Sequence, residues 1–112
     1  MNKLLSVFTA IIVMCGFSVF ADGHANKVTI QLKWVTQAQF AGYYVAQDKG
    51  FYDDEGLAVT IKPGGPDIAP AQVLAGGGAD VMVDWMPSAL AAREKGLPLV
   101  NIAQPFKSSG MM

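Results

Sequence analysis

The stretch QLKWVTQAQFAGYYVAQDKGFYDDEG, residues 31–56, sets Trp34, Phe40, Tyr43 and Tyr44 among Gln37 and Gln39, with no His, Cys or Arg. Flat rings beside neutral amides supply stacking surface and directed hydrogen bonds without a strong field. That combination suits capture of a small, flat, largely neutral molecule. Further along, Trp85 follows Asp84 and precedes Ser88, and Gln104 stands near the end of the chain. A carboxylate such as Asp84 would accept from an exocyclic amino group on the ring, and the amides would fix its orientation. No His–Cys cluster is present for a metal, and no cofactor is expected. Gly64, Gly65 and Gly76 to Gly78 lack phosphate-loop spacing and its lysine, so they are taken as turns and helix stops.

These residues need elements to bring them together. Residues 28–34 alternate apolar and polar with β-branched side chains, the pattern of a strand. Residues 40–55 follow as a helix ending at Gly56, and residues 57–62 as a second strand closed by Pro63-Gly64-Gly65-Pro66. Asp67 is placed to cap a helix running to Ala75. A third strand is expected over 80–84, a helix over 87–95 stopped by Gly96, and a fourth strand over 99–103. Regular alternation of strand and helix implies an α/β fold with a parallel sheet. In such sheets ligands lie beyond the carboxyl ends of the strands. Those ends collect Trp34, Gln37, Gln39, Asp84, Trp85, Ser88 and Gln104, with Phe40 and Tyr43 on the helix that follows the first strand.

Each residue also has a plainer role open to it. Trp34 and Trp85 could be core at strand ends, Asp84 a helix N-cap before Pro87, and Gln37 and Gln39 solvated loop residues. Tyr43 and Tyr44 are neighbours on a helix and point apart, so at most one faces a cleft.

The opening residues carry an address. Lys3 supplies a positive charge, residues 4–20 are mostly apolar, and Val19-Phe20-Ala21 offers small residues where a signal peptidase reads. Residues 1–21 are thus expected to be a secretory signal, 22–27 a linker and 28–112 the exported domain, placing it in the periplasm. Cys15 raises acylation as an alternative, although Met14 before it is large for that processing. Removing the signal removes the single cysteine, so the domain depends on core burial alone, and that core is expected to be small. Eight basic side chains against nine acidic ones offer no basic cluster for nucleic acid or an anionic membrane.

The segments KWVTQAQFAGYYVAQDKGFYDDEGL, PGGPDIAPAQVLAGGGADVMVDWMPSALAAREKG and PLVNIAQPFKSSGMM resemble a family of periplasmic solute-binding proteins. That family groups binders of thiamine-pyrimidine precursors, riboflavin, alkanesulfonates and nitrate with the fungal thiamine-pyrimidine synthase. The resemblance implies a periplasmic-binding-protein type II lobe. It also implies a monomer that closes two lobes on a small-molecule solute and passes it to an ABC permease in the inner membrane. On that resemblance, residues 28–112 are expected to be part of the first lobe. The synthase consumes a histidine, in whose place the alignment puts Phe40, so binding rather than catalysis is expected. An alkanesulfonate or nitrate site would favour guanidinium or several N–H donors. The single arginine, Arg93, falls within a helix, leaving Lys107, Ser108 and Ser109 as the anion alternative. Trp34, Trp85, Phe40, Tyr43 and Asp84 favour a pyrimidine or flavin-like solute.

Overall fold

The computed structural model describes residues 25–108. The expected signal, Cys15, His24 and the terminal Ser109 to Met112 lie outside the described residues. Within them, β1 (Asn26–Gln31) lies at the centre of a three-stranded sheet, with β2 (Leu57–Lys62) on one side and β3 (Val81–Met82) on the other. Both pairings are parallel, Asn26 to Gln31 against Leu57 to Lys62, and Ile30 and Gln31 against Val81 and Met82. Side chains alternate faces with a period of two. One face therefore carries Val28, Ile30 and Leu32 beside Val59, Ile61, Val81 and Val83. The other carries Lys27, Thr29, Gln31, Thr60 and Lys62.

The apolar face forms the core. Ile30, Leu32 and Phe40 are buried, and Tyr43, Tyr44 and the sheet valines pack on them. Leu32 is wholly inaccessible, and burying it contributes about 1.5–3 kcal/mol. The cluster is small, as the length of the chain led one to expect.

Residues 40–55 are not one helix. A 3-10 turn (Ala38–Phe40) leads into α1 (Ala41–Asp48), and a separate turn of helix, α2 (Phe51–Asp54), follows. The break is Gly50, whose φ of 75° is left-handed and whose N–H donates to Gln47 O at 3.2 Å. Such a residue ends a helix, and glycine adopts that conformation without the Cβ clash. Both helices pack against the sheet beside β2.

The expected strand over 57–62 is observed in full. The first strand is shorter than 28–34 at its end, because residues 33–36 bend away. α3 (Pro70–Ala75) starts later than expected, and Ala69, not Asp67, is its N-cap. Asp67 lies in a turn with Pro66; Pro70 in the first turn, with φ preset and no N–H to satisfy, starts the helix instead. β3 is also shorter than 80–84. Asp80 Oδ2 accepts the Thr29 N–H at 2.8 Å, so a side chain takes the place of a ladder carbonyl before Val81. α4 (Met86–Glu94) has Pro87 in its first turn and ends at Gly96, close to expectation.

The expected fourth strand over 99–103 does not form: residues 97–106 carry no strand among the described residues. Val100 and Ile102 are largely exposed, and the start of the segment is held by Arg93 Nη1 donating to Leu99 O at 2.6 Å. A strand exists only through its ladder. The apolar alternation here has no partner pairing with it.

Candidate functional site

Because the three strands run parallel, their carboxyl ends open at one edge of the sheet. The geometry of that edge begins with a register slip. Leu32 N donates to Lys62 O at 2.9 Å, and a regular parallel ladder would next send the Gly64 N–H back to Leu32 O. Gly64 N instead donates to Trp34 O at 2.8 Å. The loop lies so close that a Cβ on Gly64 would overlap the Leu32 oxygen and stand 2.6 Å from Lys33 O. Pro63 sits on the outer edge of β2, where a missing N–H removes no bond to β1.

The displaced carbonyls are satisfied by Gln31. This buried amide donates through Nε2 to Leu32 O at 3.0 Å and Pro63 O at 3.1 Å, with Lys62 O at 3.5 Å. A buried amide without such partners would cost about 1–3 kcal/mol. Gln31 thereby ties the end of β1 to the end of β2.

On the other side of β1, Val83 N donates to Gln31 O at 2.8 Å, and the chain then turns at Asp84. Lys33 Nζ lies 3.0 Å from Asp84 Oδ1, and the same oxygen accepts the Trp85 backbone N–H at 2.8 Å. The Asp84 side chain is only 4% exposed and that of Lys33 23%. Lys33 Nζ also lies 5.6 Å from the centroid of the Trp85 ring, within cation–π range. Asp84 is thus not the N-cap of α4; the N-cap is Trp85, with no side-chain cap. Neither tryptophan is core: Trp34 is 38% exposed and Trp85 55%. The strand ends accordingly present the accessible Trp85 ring beside a charge-compensated carboxylate, with a second exposed ring, Trp34, on the segment after β1.

The remaining expected site residues are dispersed around this cluster. Gln39 Nε2 donates to Gln37 Oε1 at 3.2 Å, both side chains being exposed in the loop after β1. Phe40 is buried between the sheet and α1, and the half-buried Tyr43 packs on it with ring centroids 6.5 Å apart. Tyr44 also packs against this cluster, and its hydroxyl shares a hydrogen bond of 3.1 Å with Thr36. Ser88 is half-buried in the first turn of α4, and Gln104 is exposed on the extended tail, as are Lys107 and Ser108. Burial holds the Tyr43 phenol above its ordinary pKa. Burial, with a smaller push from Tyr43, does the same for Tyr52. The burial of both thus favours the neutral phenol.

Two concavities lie away from the strand ends. One of about 540 Å³ lies between β1, β2 and the helices preceding β2, lined by Lys27, Thr29, Gln47, Tyr52, Asp53 and Thr60 among others. The other, about 370 Å³, lies where α3 faces the end of α4. Neither combines accessible tryptophan with a shielded carboxylate, and the strand-end cluster is the stronger candidate on its chemistry. Among the described residues no group of His, Cys, Asp and Glu could hold a metal ion.

Lys33 and Gln31 are not among the site residues expected from the sequence, and Gly64 is expected only as a turn glycine at a strand end. A signal for Lys33 was present: Lys33-Trp34 and Asp84-Trp85 are charge–tryptophan pairs of opposite sign at two strand ends.

Comparison with known proteins places residues 37–111 in a match to the family described as NMT1/THI5 like. Over 109 residues, 95% of this chain and 33% of the relative, the sequence is 30% identical to a formylaminopyrimidine-binding protein of Halalkalibacterium halodurans. A putative thiamine biosynthesis protein of Haemophilus influenzae is 34% identical over 69% of this chain and 24% of its own. A 4-amino-5-hydroxymethyl-2-methylpyrimidine phosphate synthase of Candida albicans is 31% identical over 72% of this chain and 25% of its own. The chain therefore spans a third or less of the length of these curated relatives. No solved structure matches it significantly.

Proposed function

This chain belongs to the NMT1/THI5 like family, and we propose that it serves an extracytoplasmic binder of a thiamine-related pyrimidine, the solute-capturing component of an ABC importer. The observation that carries this reading is the shielded Asp84 carboxylate, compensated by Lys33, beside the exposed ring of Trp85. A flat heterocycle would stack on the accessible ring, each aromatic contact adding about 0.5–1.5 kcal/mol beyond burial. Its exocyclic amine would donate to Asp84. The ion pair carries no net charge, so a neutral ring loses little on entering. The name of the Halalkalibacterium halodurans relative supports capture of a pyrimidine. The apolar run after Lys3 supports export, and with it an ABC permease as partner.

A second reading is favoured by the fungal relatives, which are named as pyrimidine phosphate synthases. Against it, His24 is the single histidine of the sequence, and it precedes β1 in the chain.

The test is a fluorescence titration of Trp34 and Trp85 with a formylaminopyrimidine, 4-amino-5-hydroxymethyl-2-methylpyrimidine, riboflavin, an alkanesulfonate and nitrate. Saturable quenching by a pyrimidine, lost in Trp85→Ala with the far-ultraviolet dichroism intact, supports the reading. A response only to sulfonate or nitrate overturns it and moves attention to Lys107 and the serines. Synthase activity would instead appear as turnover producing a pyrimidine phosphate.

A further inference from the structure

We propose that Lys33 is the specificity-determining residue of the strand-end site, selecting neutral pyrimidines that carry a hydrogen-bond acceptor over cationic ones. The inference rests on the pyrimidine-binding reading. It starts from three contacts of one ammonium group: 3.0 Å to Asp84 Oδ1, 5.6 Å to the Trp85 ring centroid, and partial access to solvent.

The two partners of the ion pair are not equally free to move. Asp84 is fixed by its own acceptance of the Trp85 N–H and by near-complete burial. Lys33 reaches it on a flexible four-carbon stem from the bent segment after β1. A ring that stacks on Trp85 competes with the ammonium for the same face, so Lys33 is the group that yields. An ammonium has three donors, and Asp84 takes one. Lys33 can therefore leave the ring face, keep Asp84 and donate to a carbonyl on the incoming ligand. Both contacts of Asp84 fall on Oδ1, leaving Oδ2 for an exocyclic amine. A ligand with a cationic side group gains nothing here: Asp84 is already compensated and Lys33 repels it.

The plainer alternative makes Lys33 a structural tie between the ends of β1 and β3. That role predicts the same loss of affinity for every ligand, which separates the two.

The experiment measures the affinity of the full chain for an N-formylated 5-aminomethylpyrimidine and for the same compound without its formyl group, a primary alkylammonium at neutral pH, in wild type and in Lys33→Met, which keeps the stem. Loss of a charge-assisted donor should weaken the formylated probe roughly ten- to a hundredfold. The amine should bind about two- to fivefold more tightly once the Trp85 face is uncontested. Opposite shifts support the proposal; equal losses, or an unchanged ratio, overturn it while leaving the pyrimidine reading in place. If wild type binds neither probe, both fall together. Should Lys33→Met fail to fold, Lys33→Met with Asp84→Asn removes the whole pair without leaving a buried charge. A preference for the formylated probe that survives in that double variant overturns the proposal.

Discussion

Replacing Gly64 by alanine tests the reasoning about the strand ends at a single atom. The added Cβ would overlap the Leu32 carbonyl oxygen and lie 2.6 Å from Lys33 O, and both obstacles are main chain, not the yielding tip of a side chain. The loop has to retreat, which breaks the Gly64 N–H to Trp34 O bond of 2.8 Å. A lost hydrogen bond costs about 0.5–1.5 kcal/mol and overpacking about 1–3, so the expected destabilisation is about 2–4 kcal/mol. With a slope near 2 kcal/mol per molar urea, the midpoint should fall by about 1–2 M. Gly65→Ala is the internal control, since a Cβ there meets nothing within 4 Å and its cost should stay within about 0.5 kcal/mol. Urea titration followed by tryptophan emission reads both variants, because Trp34 and Trp85 are the only tryptophans and one is bonded to this loop. Equal midpoints for the two variants would refute the close approach and the register slip deduced from it.

Gln31→Leu should cost about 1–3 kcal/mol in the same assay, because it strips the donor from Leu32 O and Pro63 O; a neutral outcome would mean that water serves those carbonyls equally well. Asp84→Asn keeps an acceptor for the Trp85 N–H but leaves Lys33 uncompensated. Since Lys33 remains partly hydrated, the loss should be about 1–2 kcal/mol, below the 3–5 of a fully buried broken pair, and shallower in high salt. Tyr43 and Tyr52 have folded pKa values raised above the ordinary 10.0, so the neutral phenol is the form that folding favours. Their contribution is complete below pH 10.0 and is lost as pH rises through the raised values. Stability measured by denaturant titration should therefore drop on the alkaline side, and Tyr43→Phe should reduce that drop.

The β2 strand was legible to the residue because its alternation is bounded by Gly56 and Pro63, punctuation that acts locally. So were the stops at Gly56 and Gly96. The misjudged elements share a different cause. The apolar pattern continues through Phe51 and so spans Gly50, and only the backbone reveals the left-handed break there. Asp67 is a good capping residue that lies too far from the first helical turn. The tail over 99–103 has strand-like alternation, but a strand requires a neighbour, and pairing cannot be read from one segment. At the site, the two tryptophans and Asp84 stood out by type, and the structure leaves both rings accessible. Residue types mark Lys33 only through the opposite charges of Lys33-Trp34 and Asp84-Trp85: as a polar residue in an alternating strand it has an ordinary place, and the turn at Asp84 is what brings a partner to it.

The cluster at the strand ends follows from where the ladder stops. Had Gly64 returned its N–H to Leu32 O, β1 would continue in register and Lys33 would remain a strand residue. The slip by which Gly64 takes the Trp34 carbonyl frees Leu32 O, and Gln31 answers it from within the sheet. Released from the ladder, residues 33–36 bend. Lys33 then reaches Asp84 on the far side of β1, while Trp34 stays anchored through its carbonyl. A hydrogen-bonding irregularity between β1 and β2 thus sets an ion pair between β1 and β3. Gly64, which carries no side chain, is the residue whose close approach lets the loop bond Trp34 O where the ladder ends.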